Sequence, residues 1–163
     1  MKKLALTDFT KYRYPSALEL SPDGRYLTFA LKEVDREGDG YRWNLWLYDL
    51  ESRESRQITR GDHQRQAVWE DNTHILYKTT ELDEAMRARG FEEEWTVYHR
   101  LNVCTGEESE AFRLPMSVSG LWKMDEGRYV FTGETHLDRP NLLELTGEAL
   151  EKELVRRQQT KGY

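Results

Sequence analysis

The chain reads as an all-β protein, a partial β-propeller of about three blades of antiparallel strands with a short C-terminal helix. Three observations predict this class. The first is a repeat with a period of about fifty residues, the mark of a repeat architecture. Ser21-Pro22-Asp23-Gly24-Arg25-Tyr26-Leu27-Thr28-Phe29-Ala30 leads to Asn44-Leu45-Trp46-Leu47-Tyr48-Asp49-Leu50 and then to Arg56-Gln57-Ile58-Thr59. The order returns in Trp69-Glu70-Asp71-Asn72-Thr73-His74-Ile75-Leu76-Tyr77, Trp95-Thr96-Val97-Tyr98-His99-Arg100-Leu101 and Ala111-Phe112-Arg113-Leu114. It starts a third time at Leu121-Trp122-Lys123-Met124-Asp125-Glu126-Gly127-Arg128-Tyr129-Val130-Phe131, followed by Asn141-Leu142-Leu143-Glu144-Leu145. The second observation is the turn chemistry at the start of each unit. The third is that helical periodicity is strong only near the C-terminus.

The elements follow in chain order. Residues 1–16 form a polar lead-in, with Leu6, Phe9, Tyr12 and Tyr14 as packing anchors and Asp8 or Thr7 capping a short helical turn. The first blade covers residues 17–59. Its opening turn is Asp23-Gly24, because glycine accepts positive φ and aspartate bonds backbone two residues on. The apolar run 26–31 then predicts a strand covered on both faces, and 45–50 a period-two strand beside it. The connection 32–42 carries Asp35, Glu37, Gly38, Asp39 and Gly40, a charged loop expected to project. Glu51-Ser52-Arg53-Glu54 makes the next hairpin, and Thr105-Gly106-Glu107 repeats it in the second blade, residues 67–114. Inside that blade, Ala85-Met86-Arg87-Ala88-Arg89-Gly90 predicts a short helical insertion stopped by Gly90. The third blade runs over 118–145, with Asn141–Leu145 expected as its next strand. In the tail 146–163, Ala149, Leu150, Leu154 and Val155 lie at helical spacing, so 147–160 is expected to be an amphipathic helix.

A sheet of three or four strands cannot bury both faces alone, whereas stacking such sheets around an axis can. A plain antiparallel sandwich has similar strand spacing; the ordered return of one unit favours the propeller. Trp43, Trp46, Trp69, Trp95 and Trp122 are assigned to the packing between blades, with Trp46, Trp69, Trp95 and Trp122 largely buried. Three blades fall short of the four to eight that close a ring. The chain is therefore expected to be part of a longer protein. Alone, it is expected to leave Phe131, Leu142, Leu143 and Leu145 without a covering sheet and so to self-associate, the tail helix capping the open face or swapping onto a partner.

Composition narrows the function classes. The net charge of −6 lacks the clustered basic face that a nucleic-acid footprint needs. Lys2-Lys3-Leu4-Ala5-Leu6 imitates the start of a signal peptide, but the apolar run stops at Thr7-Asp8. No run reaches membrane-spanning length, so no membrane partner is expected. The single cysteine, Cys104, excludes an internal disulfide and points to the reducing cytoplasm; it reads as a small, semi-buried residue rather than a reactive thiol.

The quoted repeats resemble the N-terminal propeller of the prolyl oligopeptidase family of serine peptidases, in its acylaminoacyl-peptidase and dipeptidyl-aminopeptidase-like branch. The carriers are Ser21-Pro22-Asp23-Gly24-Arg25-Tyr26, Asn44-Leu45-Trp46-Leu47-Tyr48-Asp49, Glu94-Trp95-Thr96-Val97-Tyr98 and Asp138-Arg139-Pro140-Asn141-Leu142. The resemblance implies a propeller of about seven or eight blades that caps an α/β-hydrolase domain and filters access of peptides to a Ser-Asp-His triad. The departure from the family is equally clear. No G-x-S-x-G elbow occurs; Ser119-Gly120 lacks the paired glycine, so no catalytic residue is carried over.

One candidate binding site remains. Glu92-Glu93-Glu94 sits beside the helical insertion, and dipeptidyl peptidases hold a substrate's free amino terminus with paired propeller glutamates through charge-assisted bonds. The competing reading is a solvated acidic face, and the family's flanking pattern is not reproduced. His63, His74, His99 and His136 lack metal-ligand spacing, so no metal and no cofactor are expected. Lys152, Arg156, Arg157 and Lys161 interleave with Glu148, Glu151 and Glu153 as ordinary helix-surface pairs. The leading reading is thus a non-catalytic propeller fragment of a serine peptidase, gating peptide access to a hydrolase domain absent from these residues. The alternative is a stand-alone propeller that binds a protein partner.

Overall fold

In the computed structural model, residues 8–35, 37–125, 127–135 and 137–160 are described. Leu6, the Thr7 cap, the Phe9 side chain, His136 and Lys161 lie outside that description. The first sheet is antiparallel and four-stranded, in the order β1 (Tyr14–Leu20), β2 (Tyr26–Asp35), β3 (Gly40–Asp49), β4 (Glu54–Gln57). The second repeats it with β5 (Ala67–Trp69), β6 (His74–Leu82), β7 (Glu94–Asn102) and β8 (Glu108–Leu114). The helix α1 (Glu84–Ala88) interrupts the β6–β7 connection. A third sheet pairs β9 (Ser117–Lys123) with β10 (Tyr129–Glu134), and α2 (Gly147–Thr160) follows. The opening strands touch in sequence, β1 with β5 and β5 with β9, as blades do around a common axis.

Strand parity assigns each side chain to one neighbour. On the second sheet, Ile75, Tyr77, Leu101 and Val103 join Ala30, Leu45 and Leu47 of the first sheet, with Trp69, in one core. The intervening Leu76 and Tyr98 turn the other way and pack with Val118 and Leu121 of the third sheet. The central blade is thus apolar on both faces because each face meets a different sheet. On β9, Val118 and Leu121 are three residues apart yet share that second core. The register slips between Thr132 and Gly133 of β10, so Ser119 is the extra residue of a β-bulge; its hydroxyl bonds Thr132.

The turns follow one design. The Asp23 carboxylate accepts the Arg25 N–H at 3.1 Å, and Gly24 has φ +74°. Asp71, at the matching place in the second blade, accepts the Thr73 and His74 N–H groups at 2.7 and 2.8 Å. At the ends of the third strands, Asp49 accepts from Glu51 and Ser52, and Asn102 from Cys104 and Thr105.

Several expectations need correction. The lead-in contributes a strand: β1 begins at Tyr14 and leaves Tyr12 and Tyr14 about half exposed rather than anchored. The 32–42 connection is mostly ladder, since β2 and β3 stay paired through Asp35 and Gly40. The expected strand at 141–145 is a 3-10 turn, Leu142–Glu144, because the Asn141 carboxamide oxygen caps it by accepting the Leu143 N–H at 3.0 Å. Leu142 is fully buried there with Met86, Phe91 and Leu154, and Leu143 and Leu145 pack against them, so α1 and α2 cover this apolar group. Phe131 does remain 42% exposed. Of the tryptophans, Trp69 is buried between the first two sheets, and Trp46 and Trp95 are half-buried. Trp122 is 49% exposed, because it lies on a face of β9 that no further sheet covers among the described residues, and it folds across Gly120. Cys104 is exposed at a hairpin tip.

Candidate functional site

Glu92, Glu93 and Glu94 all line one cavity of about 230 Å³, whose other walls include Met116, Ser117, Asn141 and Arg157. Local structure sets their positions. Asp83 caps α1 by accepting the Met86 N–H at 3.0 Å, and Gly90, with φ +81°, ends the turn so that the chain reverses into β7. The insertion then closes on itself, the Asp83 N–H donating to the Glu93 carbonyl at 2.9 Å. Glu94 opens β7 opposite Leu82.

The three carboxylates differ in environment. Glu92 is exposed. Glu93 accepts from the Arg157 guanidinium at 2.8 Å, while another Arg157 nitrogen donates to the Pro140 carbonyl at 2.5 Å and the Nε to Glu153 at 2.9 Å. Among the described residues, Glu92 and Glu94 make no ion pair. Glu94 does act on Lys78: burial lowers the Lys78 pKa, Arg65 lowers it further, and Glu94 opposes both. Hydrogen bonds from Arg156 and then Arg157 hold Glu153 down to about 2.

Arg157 is the site residue that sequence reasoning missed. It reads as a surface residue paired along its helix, and it does pair with Glu153 at i,i+4. However, its side chain is only 11% exposed, and it reaches a carboxylate 64 residues away in sequence. The apolar stripe that buries Leu154 gave the one available signal, since Arg157 lies one turn further along the same helix face. Asn141, whose amide donates to the Pro115 carbonyl, is likewise placed by tertiary packing.

The site offers carboxylates, of which Glu93 is held by Arg157, the guanidinium groups of Arg139 and Arg157, and the Asn141 carboxamide, a set that binds ammonium or carboxylate groups. Among the described residues, it holds no nucleophile paired with a base. One hydroxyl–imidazole–carboxylate row does exist elsewhere, formed by strand pairing that sequence spacing could not reveal. Thr79 Oγ1 lies 2.9 Å from His99 Nε2, and His99 Nδ1 lies 3.3 Å from Glu108. The imidazole stacks on Tyr77 at 5.4 Å within the ladder, which fixes it as a cross-strand packing group. His74 is similarly structural, bonded to Asp71 and Asn102 across two turns. Among the described residues, no three metal-ligating side chains cluster, and no helix is long and apolar enough to cross a membrane.

The architecture defines a class, the partial β-propeller, and solved structures share it. The β-propeller domain of the trilobed protease from Pyrococcus furiosus superposes with a TM-score of 0.51 at 13% identity, over 71% of this chain and 32% of that one. The Pyrococcus horikoshii acylaminoacyl peptidase gives 0.51 at 14% identity, over 71% of this chain and 16% of that one. The isopeptidase AtxE2 gives 0.56 at 16% identity, over 93% and 24%. The chain thus spans at most about a third of the proteins it resembles. At these identities the likeness is one of fold. No family model matches the chain, and no curated protein does.

Proposed function

We propose that this chain is the non-catalytic propeller portion of a cytoplasmic serine peptidase of the prolyl oligopeptidase type, in the acylaminoacyl-peptidase or dipeptidyl-aminopeptidase-like branch. Its role is to admit peptides to a hydrolase domain outside these residues. Glu92 and Glu94 hold the free amino terminus of a peptide, and Glu93, tied to Arg157, keeps their loop in place. The observation that carries the reading is the convergence of all three glutamates on one cavity. The peptidase identity of the three solved propeller-bearing neighbours supports it.

Titration calorimetry with an unblocked dipeptide amide and its N-acetylated form tests the site. Binding should require the free amine and weaken by about tenfold or more in Glu94→Gln, since a hydrogen bond to a charged group contributes about 1.5–3 kcal/mol. Equal binding of the acetylated peptide, or an unchanged affinity in Glu92→Gln/Glu94→Gln, would overturn the assignment. The chain alone should release no chromophore from aminoacyl or acyl-aminoacyl anilides; turnover that persists through purification contradicts a non-catalytic role.

A further inference from the structure

Arg139 lines the glutamate-bearing cavity, and the amine-binding role makes no use of it. It lies in the connection between β10 and the 3-10 turn, within Asp138-Arg139-Pro140-Asn141-Leu142. Pro140 disfavours a helical backbone at the residue before it, so few conformations are open to Arg139. The two residues that follow are pinned. The Pro140 carbonyl accepts from Arg157 at 2.5 Å, and the Asn141 amide donates to the Pro115 carbonyl while its oxygen accepts the Leu143 N–H at 3.0 Å. The main chain beside this guanidinium is therefore tied both to α2 and to the connection between the second and third blades.

Charge in the cavity is divided between walls. Glu92 and Glu94 come from the start of β7 and the loop before it, and Arg139 from the connection after β10. Arg157, the other guanidinium of the wall among the described residues, is committed: three of its nitrogens serve Glu93, Glu153 and the Pro140 carbonyl. Glu134 is exposed, so solvent and salt screen its charge, whereas Arg139 is half-buried. Arg139 has a partner within the chain, yet a guanidinium carries five N–H donors, enough to keep it and present two more to a carboxylate.

We propose that Arg139 forms a carboxylate subsite of this cavity, so that the preferred ligand is a peptide end carrying both a free amine and a nearby carboxylate. This subsite rests on the amine-binding reading and narrows the substrates to two sources of that chemistry. One is a peptide with an acidic side chain at its amino terminus; the other is a short peptide whose own terminal carboxylate is close by. The cavity, about 230 Å³, is smaller than the about 300–1,000 Å³ of typical small-molecule sites, so it suits a residue or two of a peptide. Both charges of such an end then fall within one enclosure. The planar guanidinium fork matches a carboxylate and not its carboxamide isostere, which gives the subsite its selectivity.

Titration calorimetry on the 163-residue chain tests the subsite. Aspartyl-alaninamide carries a side-chain carboxylate and alanyl-alanine a terminal one; asparaginyl-alaninamide and alanyl-alaninamide carry neither. Aspartyl-alaninamide should bind about tenfold or more tightly than asparaginyl-alaninamide, or alanyl-alanine than alanyl-alaninamide, and the arm that gains identifies the source. In Arg139→Gln the gain should vanish while alanyl-alaninamide binds as before. Arg139→Lys keeps the charge without the fork and should retain only part of the gain; it replaces Arg139→Gln if circular dichroism shows that variant unfolded. No gain in either arm, or a gain undiminished in the variants, would overturn the subsite, and the amine site would stand if acetylation still abolishes binding. N-acetyl-aspartyl-alaninamide binding as tightly as aspartyl-alaninamide, with an Arg139-dependent gain over its asparaginyl counterpart, would uphold the subsite and overturn the amine reading.

Discussion

Asp71 shows how much of this fold rests on single side chains. Burial alone would raise its pKa, but the Thr73 and His74 N–H groups, the His74 ring and the Thr73 hydroxyl together bring it down to about 2. A depressed carboxyl contributes stability that is complete above its ordinary value near 3.8 and disappears as the pH falls toward about 2. Asp71→Asn should therefore flatten the fall in melting temperature between those two pH values while changing the neutral-pH slope little. Thermal melts over an acid series read this directly. Thr96 is a second such residue. Only 2% exposed, it donates to the Met116 carbonyl at 2.7 Å and accepts the Val118 N–H at 3.1 Å, bonding the second blade to the third. Thr96→Val leaves both backbone groups without that partner and should cost about 1–3 kcal/mol in urea unfolding. The turn residues were legible because their chemistry is local: Asp23 and Asp49 bond within three residues of themselves. Thr96 was not, since its partners lie 20 and 22 residues away in sequence.

Element by element, legibility follows how much of a segment is buried and how regularly its apolar positions recur. Both faces of β6 and β7 are covered, so their apolar runs stand out, and α2 shows helical spacing because one stripe buries Leu154. In contrast, β1 is exposed at every position, carries Pro15, and bends at Ala17, where φ is +48°. It has no apolar alternation to read. The segment at 141–145 misleads for the opposite reason. Its composition copies the third-strand motif of the first blade, but Pro140 and the Asn141 cap turn it into a 3-10 turn over the α1–α2 cluster. Short apolar runs cannot separate those outcomes by periodicity. The cluster also explains why α2 stays docked, with Arg89 and Glu151 in a bidentate pair at 2.7 and 2.9 Å. Leu154→Ala removes the fully buried centre of that contact. It should cost about 2–5 kcal/mol if the site does not collapse, and hydrogen exchange should quicken in α2 and at 83–93 before it does in β6 and β7.

For the whole molecule, the blades are joined side by side through polar as well as apolar contacts. Glu70 of the second blade receives the Arg100 guanidinium and the Tyr129 hydroxyl of the third, while Lys123 donates to its carbonyl. Burial first and Glu70 second push the Tyr129 hydroxyl up to about 12, so this contact keeps its proton throughout the physiological range. Such joints hold the glutamate-bearing insertion at one end of the stack, beside the helix that contributes Arg157. The acidic run was visible in the sequence; the guanidinium that answers one of its members was not, since only the docking of α2 brings the two together. The proposed function requires that this end receive a peptide amino terminus. Nitrogen-15 NMR of the chain titrated with a free-amine dipeptide amide tests it most directly. Saturable shifts should cluster at Glu92, Glu93, Glu94, Ser117 and Asn141 and disappear when the peptide is N-acetylated. Shifts confined to the opposite end, around Asp49 and Cys104, or no saturable shifts with either peptide, would contradict it.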